Sequence, residues 1–148
     1  PFIIVVLFSF FIEVVGVNTG LLFGDYFYGK TLGLKVFNTP LLIGFLWLTL
    51  SLGAKSIVLR LPKVPKQIIY ILSALLMVGI DFLIEPVAIK LGYWQWSSGV
   101  IPLYNYLCWF VFAYVNQLFL NKVNNRNIVL EVLFVINVLF FILLNNLL

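Results

Sequence analysis

Polar and apolar positions do not alternate along this chain. Apolar residues run on in five long segments, separated by short intervals that hold most of the charge. The segments cover residues 1–16, 39–54 or a little beyond, 67–89, 102–120 and 127–148. A hydrocarbon core about 30 Å thick takes roughly 20 apolar helical residues, so the pattern predicts an all-α fold, a polytopic transmembrane helical bundle of about five spans. Pro40 falls where the second span opens, a position at which a helix tolerates proline. No repeat or linker interrupts the pattern, and residues 1–148 read as a single transmembrane helical domain. The first residue is Pro1 and an apolar run is already under way at Phe2, so N-terminal sequence is expected to precede it. That run has neither the basic start nor the small-residue cleavage site of a signal peptide.

Composition agrees with this layout. The chain is 64% hydrophobic and 9% charged, against roughly a quarter charged residues in a soluble domain. The +4 net charge is spread through loops and makes no basic face, which argues against a nucleic-acid partner. Lys55, Arg60, Lys63, Lys66, Lys122 and Arg126 fall on one side of the predicted layout, and Lys30, Lys35 and Lys90 on the other. Six against three places the 55–66 and 121–126 loops in the cytoplasm. The expected location is a bacterial or archaeal cytoplasmic membrane. With no histidine and one cysteine, Cys108, there is no disulfide framework and no His/Cys set for zinc or haem. Cys108 reads as a small packing residue. Proton chemistry is left to Asp, Glu, Tyr or Lys.

Span parity sends four of the five carboxylates, Glu13, Asp25, Asp81 and Glu85, to one membrane face, and Glu131 to the other. Asp81 and Glu85 stand four residues apart and share a helix face. Acids at membrane depth usually face a bundle interior or wet cavity and mark function. Two carboxylates in low dielectric disfavour joint ionisation, so one can donate a proton while its neighbour accepts. Equally, both can be interfacial groups, solvated or paired with Lys90 or tyrosine hydroxyls, that end the helix ahead of Pro86. Glu13 lies inside the apolar run FSFFIEVVGVNTG and reads either as a site acid or as a helix-end carboxylate bonded to Asn18 or Thr19.

The stretch GVNTGLLFGDYFYGKTLG interleaves five glycines with Asp25, Tyr26 and Tyr28. Its GKT lacks the spacing of a phosphate-binding loop, and a compact segment that lets backbones approach closely fits better. Tyr93, Trp94 and Trp96 read as an interfacial aromatic belt, or as rings that line a site and stabilise a cation. Trp47 and Trp109 read as mid-span packing residues. Asn137, Asn145 and Asn146 can bridge helices.

EVVGVNTGLLFGDYFYG, FNTPLLIGFLW and DFLIEPVAIKLGYWQW, in that order, resemble the carotenoid biosynthesis integral membrane protein family, which includes the carotenoid 1,2-hydratases of the bisanhydrobacterioruberin hydratase kind. The resemblance covers most of residues 10–110. It implies a lipid-soluble carotenoid that arrives through membrane lipid, and acid-catalysed addition of water to the terminal 1,2 double bond of an acyclic end through a tertiary carbocation. Such a reaction needs no metal, nucleotide or redox cofactor. The resemblance implies Asp81 or Glu13 as acid, Glu85 as partner and Asp25 as a further candidate, with Asn18, Thr19, Tyr26, Tyr28, Trp94 and Trp96 around the substrate. Other enzymes of the pathway are candidate partners. A carotenoid cyclase or isomerase would share the cation, and a non-catalytic polyene carrier or transporter would use the acids as a proton relay.

Overall fold

The computed structural model describes all 148 residues. Five helices carry the chain: α1 Phe2–Thr19, α2 Leu42–Val58, α3 Lys66–Lys90, α4 Leu103–Phe119 and α5 Ile128–Leu147. Helices α1, α3 and α5 are long and apolar enough to cross a membrane. With 17 residues each, α2 and α4 stand at the lower end of the roughly 17–25 residues that span a bilayer. The predicted bundle is therefore observed, with shifted boundaries. Helix α1 continues to Thr19 and stops at Gly20, whose φ of 66° makes a left-handed cap with its N–H on the Gly16 carbonyl.

Two expectations are corrected and one alternative is set aside. Pro40 does not open α2; it lies in a short strand, β3 (Thr39–Pro40), paired with β2 (Lys35–Val36). Helix α3 runs through Pro86 to Lys90, as the 67–89 span predicts and as membrane helices with packed neighbours allow, which sets aside the alternative of an end ahead of Pro86. Lys55 is not a loop residue: it is buried in α2, with Nζ donating to the Leu120 carbonyl at 2.6 Å.

The long connection after α1 and the shorter one after α3 meet in an antiparallel ladder, β1 (Tyr26–Tyr28) on β4 (Trp94–Trp96). The register pairs Tyr26 with Trp96 and Tyr28 with Trp94. A Cβ on Gly29 would stand 1.9 Å from the Gly92 carbonyl oxygen, and the Gly29 N–H donates to Tyr93. Close approach, the reading given to the glycine-rich stretch, holds at this position.

Ile3, Leu7, Phe11 and Val15 form an exposed stripe on α1, while Val5, Ser9, Ile12 and Gly16 face inward. In a membrane the apolar stripe is the lipid side. Small residues let the helices approach: Ala54, Ala74, Ala88 and Ala113 are fully buried, and a Cβ on Gly44 would lie 2.6 Å from the Val6 carbonyl. Of the three tail asparagines, Asn145 reaches across to the Leu83 carbonyl of α3 at 2.8 Å, and Asn137 and Asn146 bond within α5. At the bundle end away from the β1–β4 ladder, Glu131 accepts from Ser56, Arg60 and Arg126.

Candidate functional site

Glu13 late in α1, Trp47 early in α2, Asp81 and Glu85 late in α3, and Asn105 early in α4 line one cavity. The helices alternate in direction, so the end of one meets the start of the next. The ladder closes this end. Side chains alternate across a strand, so Tyr26 and Tyr28 turn inward while Phe27 between them stays exposed. In the facing strand Trp94 and Trp96 turn inward around Gln95. Trp109, stacked on Trp47 with centroids 4.1 Å apart, completes an aromatic wall.

All three acids are nearly inaccessible, with 4%, 0% and 2% exposure for Glu13, Asp81 and Glu85. Their hydrogen-bond shells differ. Glu13 Oε2 accepts from the hydroxyls of Tyr26 at 2.5 Å and Tyr28 at 2.8 Å, and Oε1 accepts from Trp47 Nε1 at 2.9 Å. Glu85 Oε2 accepts from Trp94 Nε1 at 3.1 Å and Trp96 Nε1 at 2.9 Å. Asn105 Nδ2 bridges the remaining pair, 2.8 Å from Asp81 Oδ2 and 3.4 Å from Glu85 Oε1. Among the oxygens of these three acids, Asp81 Oδ1 alone has no protein partner.

Burial, followed by the nearby Glu13 charge, pushes the Tyr26 and Tyr28 phenols up. Both therefore remain hydroxyl donors rather than phenolates. Indole N–H groups and phenols surround Glu13 and Glu85 with donors only, the complement of an ionised carboxylate, which only accepts. A protonated carboxyl fits Asp81, which offers Oδ2 to one amide and leaves Oδ1 free. The cavity measures about 30 Å³, above the roughly 10–15 Å³ that a water needs. The carboxyl oxygens, above all the unpartnered Asp81 Oδ1, supply the polar contacts that such a water would take.

Of the residues singled out in the sequence, Glu13, Asp81, Glu85, Tyr26, Tyr28, Trp94 and Trp96 surround this cavity. Asp25, Asn18 and Thr19 do not. Asp25 is exposed, and its carbonyl accepts from the Ser97 N–H at the edge of the ladder. Asn18 donates to the Val14 and Phe37 carbonyls, and Thr19 to the Val15 carbonyl. These three groups finish the helix and tie down the connection, so Glu13 takes its partners from Tyr26, Tyr28 and Trp47 and not from Asn18 or Thr19. Lys90 forms no ion pair with Asp81 or Glu85. Trp94 and Trp96 are buried at 9% and 6% exposure, so the belt reading yields to the lining one.

Asn105, Trp47 and Trp109 are site residues that the sequence reading missed. The signal for Asn105 was a lone amide within the apolar run LYNYLCWF. For Trp47 there was none, because its partner Glu13 is 34 positions away.

The signature of a family described as carotenoid biosynthesis protein matches residues 1–148. Over 110 residues the chain is 31% identical to bisanhydrobacterioruberin hydratase of Haloarcula japonica, an alignment that covers 70% of this chain and 38% of that protein. The chain thus matches well under half the length of that relative. No solved structure matches it.

Proposed function

Because the chain belongs to the carotenoid biosynthesis protein family, we propose that its buried acid cluster adds water across the terminal 1,2 double bond of an acyclic carotenoid end. The observation that carries this reading is the unequal bonding of the three carboxyls that line one small cavity: Glu13 and Glu85 each take several indole, phenol or amide donors, and Asp81 keeps one oxygen without a partner. A cluster of three acids without a cation among the lining residues is costly to bury and is suited to stabilising positive charge.

Asp81 Oδ1–H is the acid. It gives its proton to the less substituted alkene carbon, and the π electrons form the new C–H bond, leaving a tertiary carbocation. The carboxylates of Glu13 and Glu85 hold negative charge beside the cation, and the indole faces of the Trp47–Trp109 wall add their quadrupole. Water attacks the cation, and a donor-bound carboxylate, Glu85 or Glu13, takes the proton it sheds. Return of that proton to Asp81 leaves a tertiary alcohol and restores the site. The net change is the addition of one water. Capture by water is favoured over ring closure because the cavity has room for a water beside the carboxyl oxygens.

The substrate is lipid-soluble and reaches the site from the bilayer, and the setting is a bacterial or archaeal cytoplasmic membrane. The test is expression of the full-length protein in lycopene-accumulating cells, with pigments resolved by chromatography and mass spectrometry. A pigment heavier by one water is expected from the wild type. Its loss by about 10²-fold or more in Asp81→Asn, the scale of general acid catalysis, with normal protein levels, would support the assignment. An isomer of unchanged mass would point to a cyclase, and retention of pigment without conversion would favour a carrier.

A further inference from the structure

The acid cavity, about 30 Å³, has space for two or three waters at most, each needing roughly 10–15 Å³. A branched alkene end does not fit it as it stands. A second, mostly apolar cavity of about 180 Å³ lies alongside, between α2, α3 and α5. Cavities of about 150 Å³ accept benzene, so this one has room for a group of about that size. The two cavities share four lining residues: Ile43, Leu46, Ile84 and Trp94. Leu42, 58% exposed on the opening turn of α2, stands at the mouth, and buried Phe141 of α5 forms the far side.

Resting on the hydration reading above, we propose that the second cavity is the berth of the polyene end, and that Leu46 is the gate through which the alkene passes to the acids. The four shared residues are not equally free to move. Ile43 and Ile84 are buried and stiff at χ1 through β-branching. Trp94 is pinned by its bond to Glu85. Leu46 is only partly buried and lacks β-branching, so it can change rotamer without breaking a hydrogen bond. The wider apolar groove between α3 and α4, about 520 Å³ and lined by residues such as Leu107, shares no residue with the acid cavity and is not the route.

The test uses the full-length protein purified from lycopene-accumulating cells, with two readouts: polyene retained per protein, and the hydrated fraction of cell pigment. Leu46→Trp fills the gate. Leu42→Trp obstructs the mouth at an exposed position, where folding is least at risk. Each is expected to lower the hydrated fraction by at least about tenfold, the lower end of what pocket shape achieves, and Leu42→Trp is expected to lower retained polyene as well. Leu107→Trp in the α3–α4 groove is expected to change neither. Asp81→Asn is expected to abolish hydration while polyene stays bound. Wild-type retention and conversion in folded Leu42→Trp, or losses in Leu107→Trp alone, would overturn the berth. Should Asp81→Asn still hydrate, the reaction assignment falls, while retention in Leu42→Trp continues to judge the berth.

Discussion

Asn105 holds two carboxyls with one amide, 2.8 Å from Asp81 and 3.4 Å from Glu85. Asn105→Leu would leave both acids facing each other without that donor. The expected result is loss of hydrated pigment and about 1–3 kcal/mol of stability, the cost of leaving a buried polar group unpaired, read as a lower melting temperature in detergent. Glu13 offers a graded test, since Tyr26 and Tyr28 both bond the same oxygen. Tyr26→Phe and Tyr28→Phe are each expected to be mild, because one donor remains; the double variant should lose more activity than the two losses combined, as residues in one network are not additive. The acids were legible in the sequence because an ionisable group inside an apolar run is rare and expensive. Span parity pointed to Asp25, and nearness to Glu13 along the chain pointed to Asn18 and Thr19, for which a carbonyl one turn back was a closer partner. Trp47 looked like packing because its indole N–H, the only polar atom it carries, finds Glu13 on another helix.

The helices were legible as elements because apolar length is a long signal, and their boundaries moved by only a few residues. The β1–β4 ladder was not. Each strand has three residues, too few for a period of two to stand out, and the partner of Tyr26 is Trp96. Its consequence for the site is large, since four inward aromatic side chains of the ladder supply four donors to Glu13 and Glu85. Gly29→Ala tests the element without touching an acid. A methyl 1.9 Å from the Gly92 oxygen forces the two connections apart, at about 1–3 kcal/mol for overpacking of this kind. The melting temperature and the hydrated fraction should fall together; an unchanged hydrated fraction would mean that the ladder is dispensable to the site.

At the scale of the molecule the two ends are built to opposite electrostatic plans. One gathers three carboxyls with neutral donors, and the other sets Glu131 between Arg60 and Arg126. Glu131→Gln is therefore expected to lower the melting temperature and leave conversion per folded molecule unchanged. The lysine and arginine count predicts a cytoplasmic Glu131 end. Lys63→Cys should react with an impermeant maleimide only in inverted vesicles, and Lys30→Cys only in right-side-out ones; the reverse result would invert the protein. The ladder also constrains biogenesis. Tyr26 leaves the ribosome well before Trp96, and Asn105 follows later still, so Glu13 enters the bilayer before most of the site exists. Asp81 and Glu85 in turn enter ahead of Trp94, Trp96 and Asn105, the donors that hold them, and synthesis halted before Trp96 should yield a chain that quality-control proteases remove.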